Sequence, residues 1–452
     1  MFGRRAYKRL VEWKYRSAGS SALLIEGARR VGKTSLAKQF ARQEYRSHLV
    51  VDFADAPPEV VTLFERQTHD IDRLLSRLQA IYGVRLKQRD ALIIFDEVQM
   101  LPRARQAIKY LVADGRFDYL ETGSLISIKK NVKDIVIPSE EEHLELMPMN
   151  FGEFLNAIGE DLLAEEIEDA FHRREALDNI LHPLAERLFR EYLLVGGMPQ
   201  AVKAYAADKD FVDADRQKRQ ILSLYRDDVA KAGEDASRVG AIFDEIPGQL
   251  SKGEKRFTLA AFGTNARYRD YAGAVFWLAD SRIANVARNS TDPGAGLKLH
   301  EEANSFKCYM GDTGLLVTHA FAGNKDRLAE VYRHILFGTL GVNEGMLTEN
   351  YVAQQLRASG DQLFYYSRRD DKNWANTMEI DFLLLREYDR DGIKPKISPV
   401  EVKSKKRYSV RSLEKFREKF GARVGTEYVL HPRQLKIEGE RVYLPLYMAH
   451  LL

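Results

Sequence analysis

Four short apolar runs punctuate the first third of the chain: Ala22 to Ile25, His48 to Phe53, Ala91 to Phe95 and Arg116 to Leu120. Each has the length of a strand and little polar alternation, which predicts strands covered on both faces, as in a parallel sheet. Helical spacing between them, from Ser35 to Arg42 for example, makes a repeating β-α pattern with right-handed crossovers. From Asp161 to Lys231 the spacing is helical with few strand signals. Short helices and breakers follow from Ser251 to His300, with Thr258 as an N-cap. Further on, a period of two takes over. Met378-Glu379-Ile380-Asp381-Phe382 sends Glu379 and Asp381 to one face of a strand and its apolar residues to the other, and Val400-Glu401-Val402-Lys403 sets Glu401 beside Lys403. The basic, amphipathic segment from Met1 to Arg16 contains Glu12 and joins the first strand closely, which predicts a first helix rather than a targeting segment.

The turn after the first run carries the most specific chemistry. Gly27-Ala28-Arg29-Arg30-Val31-Gly32-Lys33-Thr34 stands between a strand and a helix that Ser35 continues. Two glycines permit a tight path that points successive N–H groups inward, Lys33 reaches β- and γ-phosphates, and the Thr34 hydroxyl suits Mg²⁺. Gly27 to Ser35 are therefore the expected ATP-binding residues. The third run ends in Asp96-Glu97. Ligands gather at the carboxyl ends of parallel strands, so Asp96 is expected to hold Mg²⁺ with Thr34, and Glu97 to orient or deprotonate the attacking water. The fourth run leads into Glu121-Thr122-Gly123-Ser124, where Ser124 or Thr122 is expected to sense the γ-phosphate. A serine there would equally cap a helix.

Side by side, the two alternating strands gather carboxylates next to an ammonium. That suits a divalent cation held by Asp381 and Glu401 and an activated water for phosphodiester cleavage, with Glu349 and Lys403 completing the set. An Asp followed after a loop by Glu-x-Lys is the outline of a PD-(D/E)-x-K nuclease core, although alternating charge also marks the solvent face of an amphipathic strand. Arg386 to Pro399, with Gly392 and Pro395, reads as a charged loop longer than a hairpin needs. Lys403, Lys405, Lys406, Arg407 and Arg411 form a basic cluster, either facing a phosphate backbone or simply solvated.

Composition adds limits. With 452 residues, 45% of them hydrophobic, the chain has material for about three domains. A net charge of +3 demands no polyanionic partner. A single cysteine, Cys308, forms no intramolecular disulfide and offers no metal-ligand spacing, which fits a reducing cytoplasm. No window approaches a membrane-spanning run, so no membrane partner is expected.

The glycine loop after Leu24-Ile25-Glu26, Phe95-Asp96-Glu97-Val98-Gln99 and Glu121-Thr122-Gly123-Ser124 together resemble the prokaryotic ATPases of the AAA+ superfamily. Leu146 to Phe154 resembles the segment leaving that core, and Tyr192 to Pro199 resembles the Gly-Gly-x-Pro turn of its helical lid. Glu349-Asn350-Tyr351-Val352, Glu379-Ile380-Asp381-Phe382 and Glu401-Val402-Lys403 resemble its C-terminal domain of unknown function. The resemblance implies an α/β protein: a P-loop parallel-sheet ATPase core over 1–150, a helical lid over 151–238, a winged-helix segment over 239–320 and a restriction-endonuclease-like α/β domain over 321–452. It implies an ATPase using ATP and Mg²⁺, its cycle coupled to a nuclease-like domain that binds or cuts nucleic acid. Two alternatives stay open, a nucleotide-dependent switch or adaptor with a catalytically dead C-terminal domain, and a small-molecule P-loop kinase. Arg190 and Arg226 are candidate sensors or fingers. DNA or another nucleic acid would meet the basic cluster and a helix beginning near Asn265, through Asn265, Arg267 and Arg269; that helix serves equally as an internal adaptor. A second copy of the chain is an allowed partner.

Overall fold

The computed structural model describes residues 3–124, 136–252, 256–263, 266–294, 296–321, 325–337, 344–368, 377–388 and 395–452. Asn265 and Gly392 lie outside them. The chain divides into two compact units, Met1–Met147 and Pro148–Leu452.

The four apolar runs become four strands of a five-stranded, wholly parallel sheet in the first unit: β1 (Ala22–Glu26), β2 (Ser47–Asp52), β3 (Ala91–Asp96) and β4 (Asp118–Gly123). The order is β2-β3-β4-β1-β5. Both faces are apolar, yet alternation still sorts the side chains. Leu24, Ile93, Phe95 and Tyr119 join a core with α3 (Pro58–Arg66), α4 (Ile71–Tyr82) and α5 (Pro102–Asp114), whereas Leu23, Ile25, Ile94 and Leu120 join another with α1 (Ala6–Ser17) and α2 (Lys33–Glu44). Helices on both faces are what an all-parallel sheet requires. Phe53, Phe64 and Phe95 meet with ring centroids 5.4–5.5 Å apart. β5 (Glu141–Glu145) has no apolar run to announce it, because Leu144 is its one fully buried residue; it is specified by pairing in register with β1.

The second unit begins with the expected helical block, in helices Phe151–Ala157, Asp161–Arg173, Leu181–Val195, Pro199–Asp208 and Phe211–Ala230. After Ala236–Ser251 and Tyr268–Asp280 comes an eight-stranded mixed sheet of order β12-β13-β11-β10-β9-β8-β6-β7. Its strands are β6 (Ala284–Ser290), β7 (Glu301–Met310), β8 (Phe364–Arg368), β9 (Met378–Tyr388), β10 (Pro395–Val402), β11 (Glu427–His431), β12 (Lys436–Glu438) and β13 (Arg441–Pro445). Helix Tyr268–Asp280 runs into the antiparallel β6-β7 pair, and β6 pairs on its other edge with β8. The boundary expected at 320/321 therefore falls between strands of one sheet.

Two strand readings need correction. Arg386 to Pro399 is no long loop: β9 runs to Tyr388, β10 starts at Pro395, and the two are antiparallel neighbours. A proline is tolerated as the first residue of a strand, where little of the ladder is lost. Nor does Phe382 share a face with Met378 and Ile380. The β8-β9 register shifts between Phe364 and Tyr366, a bulge that adds one residue to β9. Beyond it Leu383 joins Met378 and Ile380 in the core with helix Arg411–Phe420, while Phe382 sets its ring tilted against Tyr309, centroids 5.8 Å apart.

Buried Asp312 fastens helices to sheet here. Its carboxylate accepts from Gly197 N–H (2.6 Å), Leu315 N–H (2.9 Å) and Gln354 Nε2 (3.1 Å). Gln354 also donates to the Tyr192 hydroxyl (2.9 Å), which donates to Met149 O (2.6 Å). The Gly196-Gly197 turn is imposed by this closeness: a Cβ on residue 196, at φ 78°, would lie 2.2 Å from Asp312, and one on residue 197 would lie 2.1 Å from Met149 O.

Candidate functional site

The sheet order sets β4 between β1 and β3, so the loop after β1 and the ends of β3 and β4 are neighbours. Past β5, the Leu146 N–H donates to Glu26 O at 2.7 Å. That contact explains Gly27, where a Cβ would lie 2.3 Å from Leu146 O. Gly32 takes φ 100° as the N-cap of α2 and, lacking a side chain, leaves the approach to the first helical turn open. Arg30 shares the left-handed region at φ 69°. Ala28 and Val31 are buried, Arg29, Arg30 and Ser35 exposed. Lys33 is 6% exposed and lies across the loop, its Nζ 3.1 Å from both Gly27 O and Ala28 O.

One carboxylate ties the three segments together. Thr34 Oγ1 donates to Asp96 Oδ1 at 2.8 Å, the Thr122 hydroxyl donates to the same oxygen, and the Glu97 N–H donates to Thr122 Oγ1 at 3.3 Å. Ser124 follows β4 by one residue and is half-buried; the hydroxyl bonded to Asp96 from β4 is that of Thr122. Glu97 adopts φ 53°, a conformation costing a non-glycine residue roughly 1 kcal/mol or more, and its carboxylate takes the Gln99 amide. Beside the loop, sequence reasoning missed a partly buried charge network. His143 bridges Glu26 (3.1 Å) and Glu141 (3.3 Å), and Arg105 grips Glu141 through Nε (2.9 Å). Hydrogen bonding to Glu141, and then to Glu26, pushes His143 up to about 9. Burial, reinforced by the Glu141 charge, raises the Glu121 carboxyl well above its usual range.

In the second unit the expected acids come together around a residue the sequence reading did not single out. Lys307 of β7, 5% exposed, places Nζ 2.8 Å from Glu349, 2.9 Å from Glu379 and 3.9 Å from Asp381. Tyr309 donates its hydroxyl to Glu349 at 2.5 Å, and Asp381 accepts the Val402 N–H at 2.8 Å. Glu401, buried, pairs instead with Lys403 at 2.5 Å. Burial, then the Glu349 charge, pushes the Asp381 carboxyl up to about 7, against the pull of Lys307. Burial alone would lower the Lys307 ammonium, but Glu349, Glu379 and Asp381 help hold it well above its ordinary range. Among the described residues no group of three or more His, Cys, Asp or Glu could hold a metal ion. The signal for Lys307 was faint: Ser305, Lys307 and Tyr309 alternate with apolar Phe306, Cys308 and Met310, which reads as an ordinary solvent face.

The other candidates scatter. Arg226 pairs with Asp244 at 2.8 Å and Arg190 donates to Leu336 O at 3.2 Å, so both are engaged within the second unit. Arg267, Arg269, Lys405, Lys406, Arg407 and Arg411 are exposed. No helix among the described residues is long and apolar enough to cross a membrane.

Residues 19–155 match the family described as AAA domain. Residues 186–326 and 344–448 match two domains of unknown function, DUF8612 and DUF4143. Among solved structures the chain is similar to a Walker-type ATPase of Pyrococcus abyssi, at 15% identity over 71% of this chain and 96% of that one, with a TM-score of 0.41. It is similar to PCH-2 of C. elegans at 13% identity, over 46% of this chain and 62% of that one, with a TM-score of 0.24. A signal-transduction ATPase with a tetratricopeptide repeat sensor from Pyrococcus horikoshii is similar at 11% identity, over 79% of this chain and 67% of that one, with a TM-score of 0.22. No curated protein matches the chain.

Proposed function

We propose that the protein is an AAA-type ATPase whose nucleotide cycle switches a C-terminal domain of nuclease-like layout, and that this domain engages nucleic acid without cutting it. The observation that carries the ATPase reading is the Asp96 carboxylate shared by Thr34 and Thr122, next to Lys33 and Glu97. In this reading Gly27 to Ser35 cradle the phosphates, Lys33 takes the β- and γ-phosphate charge, and Thr122 or Ser124 senses the γ-phosphate. The Thr34 hydroxyl and Asp96 carboxylate, 2.8 Å apart, are the hard oxygen donors Mg²⁺ prefers, and they would hold it. Bound there, the ion would neutralise phosphate charge; Glu97 orients the attacking water.

Two variants test this. Lys33→Ala removes the nearest cation and is expected to cut ATP turnover by roughly a hundredfold or more. Glu97→Gln keeps the shape of the site and is expected to retain bound ATP while slowing hydrolysis. Unchanged turnover in both would reject the assignment.

The Lys307 ammonium among Glu349, Glu379 and Asp381 favours the non-cutting reading, because it supplies the positive charge that a metal would otherwise bring. A second reading, an active nuclease, draws on the Glu401–Lys403 pair beside Asp381. Incubating single- and double-stranded DNA and RNA with Mg²⁺ or Mn²⁺, with and without ATP, separates them. Cleavage that Asp381→Asn abolishes would establish the nuclease.

A further inference from the structure

A cleft of about 630 Å³ opens in the second unit between the start of helix Phe211–Ala230 and helix Lys325–Leu336. That volume suits one small ligand. Among the described residues Lys209, Arg216, Arg219 and Arg333 line it with Asp210 and Asp215, and both acids are committed. Asp210 caps its helix by accepting the Val212 N–H at 2.8 Å. Asp215, buried, accepts from Arg219 Nε (2.6 Å), Thr318 Oγ1 (2.9 Å) and the Tyr332 hydroxyl (3.0 Å). This grip fixes the Arg219 guanidinium at the wall of the cleft. Rings stand alongside: Phe211 and Tyr332, with centroids 5.9 Å apart, wall the same cleft, and Val212 at its edge is 68% exposed.

We propose that this cleft binds a small phosphate ester carrying a planar ring, of the size and chemistry of a nucleoside monophosphate, at a site separate from the glycine loop. Arg219 faces the phosphate with a guanidinium already oriented by Asp215, so little ordering is left to the binding step. Arg333 and Arg216 add charge at the rim. Arg216 makes an exposed ion pair with Asp213 at 3.0 Å, the kind worth little. The ring lies against Phe211 and Tyr332.

Calorimetry on the full chain tests the site, with the glycine loop saturated by Mg²⁺ and a non-hydrolysable ATP analogue. The titrants are adenosine monophosphate, inorganic phosphate and a single-stranded DNA octamer. One adenosine monophosphate per chain is expected to bind, weakened about tenfold or more by Arg219→Gln and by Arg333→Glu. Phe211→Ala is expected to weaken the nucleotide and leave inorganic phosphate unchanged. Should Arg219→Gln disturb folding by releasing Asp215, the Arg333 and Phe211 variants leave the Asp215 contacts intact and carry the test. No nucleotide binding by the parent, or equal binding by those two variants, would overturn the proposal. So would an octamer bound about tenfold more tightly than the mononucleotide, which would make the cleft a strand-binding surface. Failure of the ATP analogue to bind would count against the ATPase reading and leave this site standing.

Discussion

Single side chains in the second unit carry charge where burial opposes it. Lys218 is buried, with Nζ 2.6 Å from Leu194 O and 3.0 Å from the Tyr332 hydroxyl, and burial pulls it down to about 8 despite Asp215 and Asp312; Arg219 adds to the lowering. Its ordinary value near 10.5 holds in the unfolded chain. Between those values the unfolded state binds the extra proton, so this group makes stability rise with pH, a contribution lost again as pH falls through about 8. Lys218→Met removes the titration. Urea unfolding at pH 8 and pH 10 is therefore expected to show the parent gaining stability relative to the variant at the higher pH; a pH-independent difference would mean that Lys218 keeps its proton in the fold as it does in the unfolded chain.

At the scale of elements, tight backbone approaches decide which substitutions hurt. Gly197→Ala would press a methyl against Met149 O at 2.1 Å and its N at 2.8 Å, and backbone cannot step aside as a flexible side chain can. The expected cost is about 2 kcal/mol or more, read as a lower urea midpoint, with ATP turnover measured in parallel. Elements of this kind were legible to differing degrees. β1, β3 and the glycine loop stood out because a continuous apolar run ending in a glycine turn has few other solutions. β5, β6 and β7 did not, since Glu141–Glu145, Ala284–Ser290 and much of Glu301–Met310 are polar in sequence and become strands by pairing with β1 and β8 or with each other. The bulge in β9 was invisible for the same reason: alternation places Phe382 by counting, and the count fails wherever a partner strand makes two residues face one. Asp381 and Glu349 could be named from sequence, but that Lys307 stands among them is a property of tertiary structure alone.

For the whole molecule, the second unit behaves as one body by its bonding. The Asp312 network draws on Gly197, Leu315 and Gln354, residues far apart in sequence, and β6 lies between β7 and β8 in one sheet. A chain ended after residue 320 would lose Gln354 from that network and leave the β8-facing edge of β6 unpaired. It is expected to aggregate or to lose cooperative unfolding, which light scattering and thermal denaturation would report. A soluble, cooperatively folding fragment would show that the helical block and the β6-β7 pair are a separable domain.

Lys307 bears on how such chains are sorted. A search for Asp and Glu-x-Lys on neighbouring strands would file this protein among metal-dependent enzymes, since it sees only the acids. The informative letter lies upstream, on β7, where a lysine reaches Glu349, Glu379 and Asp381. Chains that share these acids but carry a small or neutral residue at the position of Lys307 are the ones expected to have kept an open cation seat. If the proposed non-cutting reading holds, that one position would divide cutters from non-cutters before any protein is made.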